Sequence, residues 1–210
     1  MKVFMVGAGG GIGSVIKQVL VERGIDVTAP TSEELDLSDD FELTDTNEYH
    51  GLIYCAGVNY LRKYDDISYT EFLKLLNINT LSFVRLCSKL HMVDSANVIA
   101  IGSLYADTTK ELRLQYASSK HALLGVIQTL ALELSHRRIK VNMVSPGFVD
   151  TPMTRQNNTA ERIQFLNDTI PLGMVHATDI AELCHWMVTA NNAITGQNIK
   201  VDGGYSLRGI

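Results

Sequence analysis

Short apolar runs alternate along this chain with longer segments whose apolar residues return every three or four positions. The apolar runs Lys2–Val6, 52–55, 98–101, 139–144 and 199–201 have strand length and read as buried parallel strands. Residues 27–29 form a shorter run of the same kind. Segments of helical period occupy 12–23, 69–91, 116–135 and 179–190. Alternation in this order predicts an α/β fold, a doubly wound parallel sheet with helices on both faces. The least regular stretches, 104–115 and 148–174, each follow a strand end, where open α/β sheets bind their ligands.

Nothing divides the chain. No internal repeat and no Pro/Ser linker is visible, so the 210 residues are expected to form one domain, 1–210. Hydrophobic residues at 46% and charged residues at 20% suffice for a sizeable core. A net charge of −5 with no run of Lys and Arg argues against a nucleic-acid partner. Cys55, Cys87 and Cys184 are odd in number and lie in apolar segments. They suggest neither a disulfide framework nor a zinc site, and fit a reducing cytoplasm. The apolar start, 1–6, is broken by glycines before a signal-peptide core or membrane span could form, so neither export nor a membrane partner is expected.

The first run leads into Gly7-Ala8-Gly9-Gly10-Gly11-Ile12-Gly13, and a helix follows at once. Missing side chains let the backbone turn tightly and approach a pyrophosphate, whose charge is favoured by the free N–H groups of the helix start. A dinucleotide is the implied ligand. The spacing reads equally as GxxxGxG through Gly7, Gly11 and Gly13, or as GxxGxxG through Gly7, Gly10 and Gly13.

Tyr116 and Lys120 stand at i and i+4 of a second helical segment and so share one face. A neighbouring ammonium favours a phenolate, which would bring the tyrosine towards proton exchange at neutral pH. Reduction of a carbonyl needs such a donor at oxygen while hydride reaches carbon. Ser103 ends a strand thirteen positions before Tyr116, where its hydroxyl can face the phenol, and Asn79 lies in another helical segment. Taken alone, a Tyr and a Lys four apart more often mark an exposed helix face. The surroundings set this pair apart.

In order, the glycine loop, Ala56-Gly57, Asn79, Ser103, Tyr116-x-x-x-Lys120, Pro146-Gly147 and Val201-Asp202-Gly203-Gly204 resemble the short-chain dehydrogenase/reductase family over nearly the whole chain. The resemblance implies a Rossmann-like fold and a hydride transfer between NAD or NADP and a small-molecule carbonyl or secondary alcohol. By the same resemblance Tyr116 is the general acid/base, Ser103 holds the substrate oxygen, Lys120 binds the nicotinamide ribose, and Asn79 holds a relay water. Gly7, Gly11, Ile12 and Gly13 become cofactor contacts, with Asp36 at the adenine and Ala56 and Gly57 at the adenosine ribose. Pro146, Gly147, Val149 and Thr151 hold the nicotinamide amide and diphosphate.

Two departures stand out. Tyr54-Cys55-Ala56-Gly57 replaces the usual Asn-Asn-Ala-Gly, and residues 30–35 are too few for a crossover helix and a third strand. Residues 33–37 are therefore expected to be irregular or a very short edge strand, so the third strand is short or missing. Pro30, Thr31 and Ser32 carry neither an acid for ribose hydroxyls nor an Arg for a 2′-phosphate, which leaves NAD against NADP open. Two other readings compete. One is a sugar-nucleotide-modifying enzyme of the extended branch, for whose substrate domain the 90 residues after Lys120 leave little room. The other is a dinucleotide-binding sensor or scaffold with little turnover. Apolar residues of the long helices, Leu123, Leu124, Ile127 and Leu130, exceed what one sheet-facing stripe needs and suggest a homodimer or homotetramer.

Overall fold

The computed structural model of the chain describes residues 1–207. Six parallel strands form one sheet, in the order β2-β1-β3-β4-β5-β6. They are β1 (Lys2–Val6), β2 (Asp26–Thr28), β3 (Glu48–Tyr54), β4 (His91–Ile101), β5 (Lys140–Pro146) and β6 (Asn198–Val201). The helices are α1 (Gly13–Glu22), α2 (Tyr69–Leu76), α3 (Ser82–Lys89), α4 (Leu114–Glu133), α5 (Pro152–Gln156), α6 (Ala160–Thr169) and α7 (Ala177–Ala190).

Strand periodicity splits the core in two. Val3, Met5, Ile53, Ile99, Ile101 and Val144 point to one face, where Ile16 and Leu20 of α1 and Ile180, Cys184 and Met187 of α7 cover them. Their neighbours Phe4, Val6, Leu52, Tyr54, Val98, Ala100 and Met143 point to the other, against Phe83 and Leu86 of α3 and Leu123 and Ile127 of α4. A fully buried side chain of this size contributes roughly 1.5–3 kcal/mol, so both layers stabilise the sheet between its helices.

No strand lies between β2 and β3 among the described residues. Residues 33–37 are irregular, one of the two forms expected for them. The segment is nevertheless held down. Leu35 is buried, and Leu37, Phe41 and Leu43 pack on the α3–α4 side of the core. Arg85 of α3 binds the Phe41 carbonyl at 2.6 Å and pairs with Asp40, while Asn77 donates to the Ser38 carbonyl at 2.9 Å.

Three local expectations need correction. Helix does not run through 69–91: a wider, π-type turn over Asn77–Leu81 separates α2 from α3, and His91 already belongs to β4. The first half of β4 is polar and partly exposed, which hid it from an apolar-run search. Residues 148–174 are not simply loop, because Thr151 caps α5 and Thr159 caps α6 with their side-chain oxygens. In these two helices only Leu166 is buried, so their apolar periodicity is weak.

Candidate active site

The chain leaves β1 for β2 on one side and returns to β3 on the other, so the sheet order reverses at β1. A cleft of about 500 Å³ opens beyond the C-terminal ends of β1, β3, β4 and β5. This is where a doubly wound sheet binds its ligand.

The glycine loop forms one wall. Gly7 has φ +77°, and a Cβ there would lie 2.5 Å from the Ala56 nitrogen; a Cβ on Gly13 would lie 2.1 Å from the Gly7 carbonyl oxygen. The loop can therefore press against β3 and feed α1 only as glycine. Gly9, Gly10, Gly11, Ile12 and Gly13 line the cleft. No side chain caps α1 and no acid sits in its first turn, which suits its start to an anion. Opposite lies the loop after β5, with Pro146, Gly147, Val149 and Thr151 on the cleft. Gly147 backs onto Asp202, whose carboxylate accepts the Gly204 and Ser206 N–H groups at 2.9 Å each. The Asp202-Gly203-Gly204 motif thus braces this loop from behind.

Ser103, Tyr116 and Lys120 meet at the centre. Ser103 follows β4 in extended backbone, and its Oγ accepts the Tyr105 N–H at 3.2 Å. Tyr116 lies in the first turn of α4 and Lys120 one turn on; both are buried. Lys120 Nζ donates to the Ile101 carbonyl at 3.0 Å and sits 5.7 Å from the Tyr116 ring centre. Burial pushes the Lys120 ammonium down to about 8. Burial also raises the Tyr116 phenol above its ordinary value, opposed by a hydrogen bond from Ser103 and by the charge of Arg113. The expectation that the lysine would favour the phenolate is therefore corrected for the protein without ligand, where desolvation outweighs neighbouring charge.

Ala56 and Gly57 line the cleft, but Gly7, Asp36 and Asn79 do not. Asp36 accepts the Ser38 N–H at 2.8 Å, which with burial absent holds its carboxyl below the usual range. Asn79 sits fully buried in the π-type turn. Its Oδ1 accepts the Val58 N–H at 2.9 Å, and its Nδ2 donates to the Val58 carbonyl and to Ser119 Oγ at 3.0 and 2.9 Å. That side chain braces the loop after β3. Tyr54, which stands where the family usually has Asn, donates from its phenol to the Ile78 carbonyl and so pins the same turn.

Sequence reasoning missed other lining residues. Met153, Gln156, Asn157 and Asn158 reach the cleft from α5 and the residues after it, and Asn59, Tyr60, Tyr105 and Arg113 come from two loops. Among the described residues no cluster of three or more His, Cys, Asp or Glu could hold a metal ion, and no helix is long and apolar enough to cross a membrane.

A switch-point cleft with a glycine loop, a buried Tyr-x-x-x-Lys pair and a facing serine defines a dinucleotide-type oxidoreductase site. The chain belongs to the short-chain dehydrogenase/reductase family: residues 26–206 match the family model described as enoyl-(acyl carrier protein) reductase. It is 32% identical over 164 residues to the uncharacterized oxidoreductase YohF of Escherichia coli, a match covering 74% of this chain and 64% of that protein. It is 24% identical to the 3-oxoacyl-[acyl-carrier-protein] reductase FabG of Buchnera aphidicola, over 96% of this chain and 95% of that one. A short-chain dehydrogenase from Burkholderia cenocepacia, solved in complex with NADP, shares its fold with a TM-score of 0.84 at 22% identity, covering 97% of each chain.

Proposed function

We propose that this chain is an NAD(P)-dependent oxidoreductase that transfers hydride between the nicotinamide and a carbonyl or secondary alcohol. The observation that carries the reading is the meeting of Ser103 with the buried Tyr116 and Lys120 on the glycine-loop cleft. The residues present fit the cofactor: the loop is open on its cleft side, since a Cβ on Gly9 would meet nothing within 4 Å. Gly11, Ile12 and Gly13 would hold the diphosphate, Lys120 the nicotinamide ribose, and the loop after β5 the amide. When bound, the cofactor supplies or takes the hydride. The protein does the rest. Ser103 donates to the substrate oxygen, and Tyr116, kept as a neutral phenol by burial, gives that oxygen its proton during reduction. Asp36 is proposed at the adenine, and the Asn79 backbone at a relay water.

Two neighbouring hydroxyl donors on the cleft, Ser103 and Tyr116, favour a polar C=O over an isolated C=C, although the matching family model carries the name of an enoyl reductase. NADH and NADPH oxidation, measured separately against ketones, sugars and acyl thioesters, tests the reading. Nucleotide binding without any Tyr116-dependent rate would instead establish a sensor or scaffold.

Discrimination at the 2′ position should be weak. β2 ends at Thr28, and of the acids just beyond it Glu34 accepts the Thr31 N–H and Asp36 that of Ser38, both at 2.8 Å, while Glu33 is exposed in the irregular segment. With no carboxylate at 29–32, directly after β2, to repel a phosphate and no Arg there to attract one, kcat/KM for NADPH and NADH should differ by less than about 100-fold. A larger ratio shows that another group reads that position.

The protein is also proposed to work as a homodimer or homotetramer in the cytoplasm. The original grounds shift, because Leu123 and Ile127 lie in the core and Leu124 and Leu130 pack partly against it. The support comes instead from Leu81, Val84, Leu114 and Leu132, which α3, α4 and the turn before α3 leave exposed. Light scattering at micromolar concentration should give a multiple of 23.2 kDa. A monomer mass removes the proposal.

A further inference from the structure

Arg113 is a charged group of the cleft for which the reaction above has no use. It lies three residues before Tyr116, directly ahead of α4, and follows Leu112, whose φ of 63° is unusual for a branched side chain. The side chain is 8% exposed and lines the cleft together with Asn59, Tyr105 and Tyr116. Its Nη1 donates to Asn59 Oδ1 at 2.7 Å, and its guanidinium stands 5.5 Å from the Tyr105 ring centre. Nε is buried with no hydrogen-bond partner. Among the described residues no carboxylate pairs with this guanidinium, although Arg23, Arg62, Arg85, Arg137 and Arg155 all have one.

A buried cation without a counter-charge is costly, and an amide oxygen offsets only part of that cost. Nη1 is occupied by Asn59, and the edge that begins at Nε matches two oxygens of a planar anion. Arg113 lines the same cleft as the reacting phenol. A neutral ketone would leave it unmatched; an acid would complete it.

Resting on the oxidoreductase reading, we propose that Arg113 binds a carboxylate on the substrate, so that the enzyme acts on oxo acids and hydroxy acids in preference to their neutral counterparts. The test compares 2-oxobutanoate and 3-oxobutanoate, each with its methyl ester, in wild type, R113M, R113Q and R113K. Two quantities are read for each pair: kcat/KM, and the dissociation constant for the cofactor-saturated protein by calorimetry. The wild type should favour at least one acid over its ester by about tenfold or more, the size expected of one charge-assisted pair. R113M and R113Q should bring that ratio close to one, and R113K should retain part of it. The ratio within one preparation does not depend on how much of a variant is folded.

Equal treatment of acid and ester by the wild type, a preference that survives in R113M and R113Q, or no binding of any acid overturns the proposal. The two readings fail separately. Turnover of esters with no preference for acids removes the carboxylate site and leaves the oxidoreductase, whereas Arg113-dependent binding of acids with no turnover of any substrate removes the oxidoreductase and leaves the site.

Discussion

Tyr116→Phe should lower kcat by about 10²–10⁴-fold, the contribution of a positioned general acid, while nucleotide affinity stays within about threefold. The substitution removes one oxygen and keeps the ring. Packing should survive, because the Tyr116 ring meets Tyr105 edge to face at 6.1 Å, a contact Phe can make equally well. What is lost is the transferable proton and the hydrogen bond with Ser103. That bond is worth about 1 kcal/mol of stability, and removing a polar atom from a buried site offsets part of it. Steady-state rates and nucleotide titration on the same sample separate the two effects. A variant that keeps more than half of the activity ends the assignment of Tyr116 as acid, and one that loses nucleotide binding in proportion shows the ring to be structural.

The sheet was legible because its strands are buried on both faces: the runs at 2–6, 52–55 and 98–101 have no polar alternation to confuse with anything else. The cluster was legible for a different reason. Ser103 ends a strand and Tyr116 and Lys120 are one helical turn apart, so sheet geometry alone places them at the same edge. Other features depend on tertiary contacts that no local pattern reports. The π-type turn at Asn77–Leu81 is held by the Tyr54 phenol, twenty-four residues away, and by Ser82 Oγ on the Asn77 carbonyl at 2.7 Å. Asn79 looks like an ordinary helical polar residue until Val58 and Ser119 close around it. Arg113 reads as surface charge because its burial is created by a loop that folds inward only in three dimensions. The direction of the Tyr116 shift was unreadable too, since proximity to Lys120 is a local fact and desolvation is a global one.

Lys120→Met should give a protein that is more stable at neutral pH and much less active. Burial lowers the Lys120 ammonium from 10.5 to about 8. Below pH 8 the group is protonated in both folded and unfolded chains, and the folded state carries the whole cost of burying the charge, about 3 kcal/mol at 1.36 kcal/mol per pH unit. Between pH 8 and 10.5 the unfolded chain still binds the proton and the folded chain has released it, so stability rises with pH through this window and the cost fades. Methionine fills the same space without the charge, though it leaves the Ile101 carbonyl without its 3.0 Å donor, a loss of about 1–2 kcal/mol. A net gain of about 1–2 kcal/mol at pH 7 remains, shrinking towards pH 10.5. Urea unfolding of both proteins at pH 7 and pH 10 measures the difference directly. Taking that difference cancels the buried thiols of Cys87 and Cys184, whose raised values act in the opposite sense above pH 9, whereas the Cys55 thiol feels the Lys120 charge and shifts with the substitution. Activity should move the other way, since the variant loses both the proposed ribose contact and the cation beside Tyr116: kcat/KM should drop by at least about 10²-fold, with nucleotide affinity falling as well. A less stable variant at pH 7 would mean that Lys120 is solvated or paired in the folded protein. A more stable and fully active one would leave its charge without a function.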